Sequence, residues 1–227
     1  MAWAGITSRL RWALLPLAFL GCTTGADTGA SSGRASGGAW SQTEADDGAA
    51  AAETALLPVT DPERTQRARE IYLGGVGLLS RTPPQVEPAI REFQQALNVD
   101  PRFYRAHFKL GICYYHQGLY ELEINEYKKC LAINPGYVPA LLNLGHAHLA
   151  KDELEQARTA YEEVLRREPN HAVAIYNKAL VELDLGNQPE SLRLFRAFVE
   201  LDGQGEMGQR AKQYIEELSL RTKGQGS

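Results

Sequence analysis

Apolar side chains recur at helical spacing between about residues 60 and 220, and prolines divide this part of the chain at a constant interval. Pro101, Pro135 and Pro169 are evenly spaced. Because a proline disfavours helix at the residue before it, each of them predicts the end of a helix. Residues typical of turns stand halfway through the intervals: Gly118, Asp152 and the pair Gly186-Asn187. The pattern therefore predicts antiparallel helix pairs, one pair for every interval between prolines.

Polar residues beside these breaks predict how individual helices begin and end. Asp61-Pro62 has the form of an N-cap followed by proline at the first helical position, so the helical body is expected to start there. Asp152 and Glu155 have the spacing of a capping box at the start of a helix. Gly186-Asn187 is suited to ending one helix and capping the next.

Side chains at equivalent positions of the intervals share their size. The second helix of each pair carries a small residue, an aromatic residue four positions later and another packing residue three positions after that. The small residues are Ala89, Ala157 and Ser191; the aromatic residues are Phe93, Tyr127, Tyr161 and Phe195; the third set is Ala96, Cys130, Val164 and Phe198. The first helices carry Leu110-Gly111 and Leu144-Gly145. A small residue where two helices cross lets their backbones approach, and the aromatic ring fills the space beside the crossing.

This arrangement resembles the tetratricopeptide repeat, whose period of about 34 residues matches the spacing of the prolines. The resemblance implies an all-α fold, a right-handed α-solenoid of about four helix pairs plus a C-terminal capping helix. The four repeats are expected at about residues 70–101, 102–135, 136–169 and 170–203, within a helical body at 60–203. One apolar stripe, expected to pack near Leu194 and Phe198, predicts the capping helix at 204–220: Met207, Ala211, Tyr214, Ile215 and Leu218. Residues 221–227 are expected to be a disordered tail.

Two features depart from the repeat pattern. Gly74, Gly75 and Gly77 lie in a helix interior, where each glycine costs up to ~1 kcal/mol relative to alanine. The first repeat is therefore expected to be the loosest. Glu123 takes the small-residue position of the second repeat, opposite Gly111, so a larger acidic residue is expected at that helix crossing.

The N-terminal residues have the pattern of a signal sequence. Arg9 and Arg11 precede a short apolar run at 12–20, which is too short to span a membrane. Gly21-Cys22 follows and resembles the lipobox of bacterial lipoproteins. This resemblance implies a signal peptide at 1–21 and a diacylated Cys22, and Thr23 after the cysteine favours the periplasmic face of the outer membrane. The alternative is an ordinary secretory signal with an incidental cysteine.

Composition adds a tether and excludes one class of partner. Within the expected linker at 22–59, residues 23 to about 57 are almost all Thr, Gly, Ala, Ser, Asp and Glu, with one tryptophan, Trp40, a composition that cannot bury enough apolar surface to fold. They are expected to form a flexible linker between the lipid anchor and the helical body. The formal net charge of −4 provides no basic surface for phosphates, so nucleic acid is not an expected partner.

The sequence offers no catalytic constellation. It contains no GxSxG, HExxH, Walker loop or paired CxxC, so we expect no enzyme activity, no cofactor and no small-molecule substrate. His116 and His146 are the better-placed histidine pair, but no acidic residue or cysteine stands beside them at ligand spacing, and no metal site is expected. His107 is expected to be a packing residue, and Cys113 and Cys130 to be free buried thiols. An enzyme with a cryptic histidine site stays an alternative.

The resemblance places a peptide-binding groove on the first helix of each pair. Its expected lining is Phe108, Ile112, Tyr115 and His116 in the second repeat, Leu142, Asn143, His146 and Leu149 in the third, and Tyr176, Asn177 and Leu180 in the fourth. Gly74 and Leu78 replace the Lys and Asn of the chaperone-binding carboxylate clamp, so capture of an acidic chaperone tail is not expected. An apolar groove suits an amphipathic helix or an extended apolar segment. The alternative is that some of these side chains belong to the interior of the stack.

A lipid anchor joined to an interaction domain predicts a membrane-anchored scaffold. The chain resembles the repeat lipoproteins that serve as pilotins for type IV pilus secretins, including those of gliding bacteria. The resemblance implies a protein partner, an outer-membrane secretin or another component of an envelope machine for pilus biogenesis, motility or secretion. An adaptor that recruits peptidoglycan hydrolases or proteases is the alternative within the same class.

Overall fold

The computed structural model describes residues 61–224, with side chains described to residue 220. The expected signal peptide, the lipidated Cys22 and the linker at 22–59 lie outside the described residues, so they stay predictions. Nine α-helices and no strand occur within the described part of the chain. They are α1 (Pro62–Leu79), α2 (Val86–Val99), α3 (Tyr104–His116), α4 (Tyr120–Ile133), α5 (Val138–Ala150), α6 (Leu154–Arg167), α7 (Ala172–Asp184), α8 (Gln188–Asp202) and α9 (Gly205–Gly224). The expected all-α fold is confirmed.

The chain divides into two compact units, and the boundary between Ala106 and His107 lies inside α3. In the first unit, α1 packs against α2. The Asp61 side chain accepts a hydrogen bond from the backbone N–H of Glu63, which confirms the expected N-cap. Tyr72 packs between Phe93 and Phe103, with ring centroids 5.6 and 5.2 Å away.

Gly75 has a packing role that the sequence did not reveal. A Cβ atom at this position would lie 2.6 Å from the Phe93 ring, so glycine is required where α1 crosses α2. A Cβ at Gly77, by contrast, would meet nothing within 4 Å. The expectation that the glycines of α1 merely weaken the helix is therefore wrong for Gly75.

In the second unit, α5–α6 and α7–α8 form two further pairs, and α4 packs on α5 as α6 packs on α7. The helix crossings follow the predicted pattern. Cβ atoms at Gly111 and Gly145 would lie 2.3 and 2.6 Å from the rings of Tyr127 and Tyr161. The small, aromatic and third packing positions of the second helices are all buried in the four repeats, including Glu123, which is 2% exposed. No helix in the described range is long and apolar enough to cross a membrane.

Proline and turn residues end the helices where the repeat period predicts. Helices α2, α4 and α6 end two residues before Pro101, Pro135 and Pro169. The turns at Gly118, Asp152 and Gly186 all adopt a left-handed backbone, with φ of 71°, 62° and 82°.

The expected capping box at Asp152 and Glu155 is wrong. Glu153, not Asp152, precedes α6, and its side chain makes no capping hydrogen bond. The backbone N–H of Glu153 donates to the carbonyl of His148, 2.9 Å away, a closure that requires the left-handed conformation at Asp152. Asn187 does precede α8, but its side chain donates to Glu182 Oε2 at 3.0 Å instead of capping the backbone.

The last helix, α9, packs against α8 as a cap. Ala211 and Leu218 are buried, whereas Met207, Tyr214 and Ile215 are half-buried. The Tyr214 ring stacks on Phe195 of α8, with centroids 4.9 Å apart. The helix continues to Gly224, which corrects the expected start of a disordered tail at residue 221.

Candidate functional site

The eleven residues expected to line a groove differ widely in accessibility. Seven of them are buried: Phe108, Leu142, Asn143, Leu149, Tyr176, Asn177 and Leu180. Ile112 and His146 are half-buried, and Tyr115 and His116 are exposed. The first helices of this unit therefore supply mostly interior packing, which was the alternative left open by the sequence.

Aromatic packing explains why the two largest of these side chains are inaccessible. Tyr176 lies 5.7 Å from Phe195 and 5.0 Å from Phe198, measured between ring centroids. Phe108 packs against Tyr127 at 5.9 Å and edge-on against Tyr137 at 5.1 Å. Because these rings fill the spaces between helices, a partner has no access to Tyr176 or Phe108 in this conformation.

The two asparagines make hydrogen bonds inside the protein. Asn143 Nδ2 donates to the Tyr127 hydroxyl at 3.3 Å, which joins α5 to α4. Asn177 Nδ2 lies 2.7 Å from His146 Nε2 and joins α7 to α5. Burial, together with the nearby His171, lowers the pKa of His146 to about 4, so the imidazole is neutral at pH 7 and its Nε2 accepts a hydrogen bond from the Asn177 amide. Both asparagines, which were expected to line the groove, instead make hydrogen bonds inside the protein.

His107, the expected packing residue, contacts an acidic side chain of α4. Its Nδ1 lies 2.7 Å from Glu126 Oε2, and Lys129 Nζ donates to the other carboxylate oxygen at 2.6 Å. Burial raises the pKa of Glu126, but these hydrogen bonds outweigh burial and hold the pKa below its ordinary value. The three side chains therefore form a charged link between α3 and α4.

The accessible part of the predicted site lies at the turn between α3 and α4. Tyr115 is 39% exposed, and its ring lies 5.7 Å from that of His116. Leu119 and Leu122 stand at the same turn and are 43% and 45% exposed. We call these four residues the turn patch. Neither leucine was predicted as a site residue, because both lie beyond the first helix of the repeat, where the groove was expected.

A comparison of equivalent positions in successive repeats would have revealed the leucines. The positions of Leu119 and Leu122 are taken by Glu153 and Gln156 in the third repeat and by Asn187 and Glu190 in the fourth. Polar residues are usual at such turns, because water solvates them. The two leucines are therefore an exception, and aligning the repeats at their 34-residue period is enough to reveal it.

The charged groups of the cleft beside α4 compensate one another. A cleft of about 280 Å³ lies between α4 and the turn from α5 to α6. Within it, Glu153 accepts from Lys151 at 2.8 Å and contacts His148 at 2.6 Å, so the charges neutralise one another. Cys113 and Cys130 are free and buried, and burial raises both thiol pKa values to about 12, which makes them unreactive at neutral pH.

Residues 85–138 and 142–206, more than half of the chain, match the family model of the tetratricopeptide repeat. The chain belongs to the tetratricopeptide repeat family. The helix pairs, the glycine–aromatic crossings and the repeated turns described above are the structural form of this match. Tetratricopeptide repeats are typically interaction modules without catalytic activity, and nothing positive in the described residues indicates an enzyme.

Solved tetratricopeptide repeat structures share the fold of this protein. PilF of Pseudomonas aeruginosa is 21% identical with a TM-score of 0.60, and the match covers 71% of this chain and 72% of that one. MamA of Desulfovibrio magneticus is 16% identical with a TM-score of 0.57, over 74% and 100%. The first repeat domain of RPAP3, bound to an HSP90 peptide, is 22% identical with a TM-score of 0.51, over 54% and 95%. Curated proteins give no significant match. At these identities the likeness extends to the fold alone.

Proposed function

We propose that this tetratricopeptide repeat protein is an envelope-anchored docking scaffold that assists assembly of an outer-membrane machine. The observation that carries the proposal is the turn patch, an exposed aromatic and leucine surface on a fold whose members bind protein partners. The lipobox-like pattern at Gly21-Cys22 supports the membrane anchor, and the composition of residues 22–59 supports a tether with reach. The shared fold with PilF is consistent with a pilus secretin as the partner, or with another motility or secretion component.

The proposed contact is hydrophobic. Tyr115, Leu119 and Leu122 offer apolar surface to a segment of the partner, in the manner of an amphipathic helix laid on a repeat surface. Because Gly74 and Leu78 stand where the carboxylate clamp needs lysine and asparagine, we do not expect a free acidic tail to be the ligand. The partner in this proposal is an apolar or amphipathic segment of an envelope assembly protein.

Replacing both leucines by the residues of the next repeat, Leu119→Glu with Leu122→Gln, is expected to weaken partner capture about tenfold or more. Exposed interface side chains of this size contribute ~1–2 kcal/mol each when they are central to a contact. The matched control is Leu201→Gln, which removes a leucine of similar exposure, 46%, from α8. Cross-linking and co-precipitation from envelopes measure capture, and circular dichroism checks the fold.

The outcome also distinguishes the kinds of partner. Loss of a secretin or pilus component from the precipitate, together with the assembly defect of a deletion strain, supports the proposal. Loss of a peptidoglycan hydrolase or protease supports the adaptor function instead. Full capture and full complementation by the double variant would contradict any role for the turn patch. Tyr176→Ala is unsuitable here, because it removes a buried ring and so tests stability.

Cys22 is expected to be the first residue of the mature protein and to carry acyl chains. Mass spectrometry of the mature N-terminus measures this directly, and Cys22→Ala is expected to stay uncleaved or to leave the membrane fraction. Thr23→Asp is expected to shift the anchored protein towards the inner membrane. An unmodified Cys22, or a mature protein that starts elsewhere, shows that the segment is an ordinary secretory signal.

A further inference from the structure

Glu123 is a buried acid at a helix crossing where the other repeats carry small residues. It is 2% exposed, and the equivalent residues Ala89, Ala157 and Ser191 are completely buried. The Glu123 side chain is larger than the residues at the equivalent crossings, and its carboxyl group is ionisable where theirs are not. The residue therefore carries a cost in the second repeat that the other repeats avoid.

A short chain of hydrogen bonds joins this acid to the next repeat. The Tyr127 hydroxyl donates to the Glu123 carboxyl and accepts from Asn143 Nδ2, 3.3 Å away on α5. Glu123 Oε2 has no hydrogen-bond partner and is fully inaccessible. The Tyr127 ring itself presses against Gly111 of α3. The acid is thus linked to α3 by packing and to α5 by hydrogen bonds.

No charge on the packed helices compensates this carboxyl in the described residues. Tyr115 faces it from α3 with Tyr120 beside that ring, Tyr127 faces it from α4, and Cys113 lies beside Tyr127. Burial raises the pKa of Tyr115, Tyr127 and Cys113, so these three groups are neutral at pH 7. On α4 and α5, Lys129 contacts Glu126, His146 contacts Asn177, His148 contacts Glu153, and Lys128 lines the cleft with Glu121. On α3, His107 contacts Glu126, Arg105 lies over the Tyr104 ring, His116 packs edge-on to Tyr115, and Lys109 lies over the Phe108 ring and near Cys113.

We propose that Glu123 is a proton-controlled latch on the hairpin of α3 and α4. The protonated, neutral acid fills the crossing without placing a charge in the interior. The Tyr127 hydroxyl favours the ionised carboxyl, but burial outweighs it. Loss of the proton leaves a buried charge with one unpaired oxygen, so the ionised form favours a hairpin that opens and admits water. Acidification therefore closes the joint between the second and third repeats, and a rise in pH loosens it.

The direction of the pH effect on hairpin opening, and the pH range over which it acts, follow from the pKa of Glu123 in the closed and the open hairpin. Burial raises the pKa of Glu123 from its ordinary value of 4.5 to about 8 in the closed hairpin. An opened, hydrated hairpin returns the acid to its ordinary pKa, so opening releases a proton at any pH between these values. The closed form is most favoured below about pH 4.5, and opening becomes about tenfold more favourable per pH unit until about pH 8, where the effect levels off.

Hydrogen exchange of the whole chain tests the latch. Between about pH 5.5 and about pH 7.5, protection of the α3 and α4 amides, corrected for intrinsic exchange, is expected to fall about a hundredfold in the wild type. Glu123→Gln, which keeps the shape and cannot ionise, is expected to remove this pH dependence. Glu121→Gln is the matched control, because it removes the same charge two residues away from a side chain that is 77% exposed.

Three results overturn the proposal. One is equal pH dependence in the wild type and in Glu123→Gln. Another is a parallel loss of protection in α8 and α9, which shows that the whole body opens rather than one hairpin. The third needs no variant: carbon-13 NMR of the Glu123 carboxyl in the wild type is expected to titrate near pH 8, and a midpoint near 4.5 contradicts the latch.

Discussion

Gly75→Ala is expected to destabilise the first unit by about 1–3 kcal/mol, whereas Gly77→Ala, two residues further along α1, stabilises it by about 0.5–1 kcal/mol. The reason is the space beside each Cα atom. At Gly75 a new methyl group would lie 2.6 Å from the Phe93 ring, so α1 and α2 must separate or the ring must leave its position. At Gly77 nothing lies within 4 Å, and alanine simply restricts the unfolded chain.

Urea denaturation followed by circular dichroism measures both variants against the wild type. Because the two substitutions are chemically identical and lie on one helix, the difference between them isolates the helix crossing. Gly111→Ala, with its new atom 2.3 Å from Tyr127, is expected to repeat the destabilisation in the second unit. Similar urea midpoints for Gly75→Ala and Gly77→Ala would show that α1 and α2 accommodate the added methyl group without loss of stability.

Leu218→Ala is expected to destabilise the C-terminal repeats by about 2–5 kcal/mol, the range for truncating a buried leucine. Leu218 is 2% exposed where α9 packs on α8. Leu220, on the same helix, is 64% exposed, so Leu220→Ala is the matched control and is expected to change stability by at most about 0.5 kcal/mol.

Truncation after Gly203 tests the whole cap in the same way. It removes the ring that stacks on Phe195 and uncovers the apolar face of α8, so the shortened protein is expected to melt several degrees lower or to aggregate. Thermal melting and light scattering measure the two effects. An unchanged melting temperature in a monomeric truncated protein would mean that α9 is not a cap, and α9 would then become a candidate partner-binding element.

Local chemistry was enough to predict the helices and their ends. Proline cannot supply a backbone N–H and restricts the residue before it, so Pro101, Pro135 and Pro169 define helix ends whatever the tertiary context. The small and aromatic positions of the second helices were also predictable, because a constant period repeats the same crossing. These two features together were sufficient for the fold class.

Two features were harder to predict: a helix crossing shifted by a longer loop, and a residue that fits two local conformations. Gly75 stands further from Phe93 along the chain than Gly111 does from Tyr127, because the loop after α1 is longer. The repeat register therefore hid the role of Gly75. Asp152 fits both a capping box and a left-handed turn. Asp152 adopts the left-handed turn, as Gly118 and Gly186 do at the equivalent positions of the neighbouring repeats. The sequence around Asp152 taken by itself does not distinguish the two conformations.

The sequence by itself determined the repeat, the helix boundaries and the buried face of each second helix, because these depend on residues close together in the chain. Tertiary structure decided how far burial extends around the first helices. A helix such as α5 or α7 packs against both its own partner and the preceding repeat, so residues on two faces become interior. Helical periodicity distinguishes one face from another but does not say how many neighbours a helix has. For this reason Tyr176 and Asn177 are interior, while Tyr115 stays accessible at the turn.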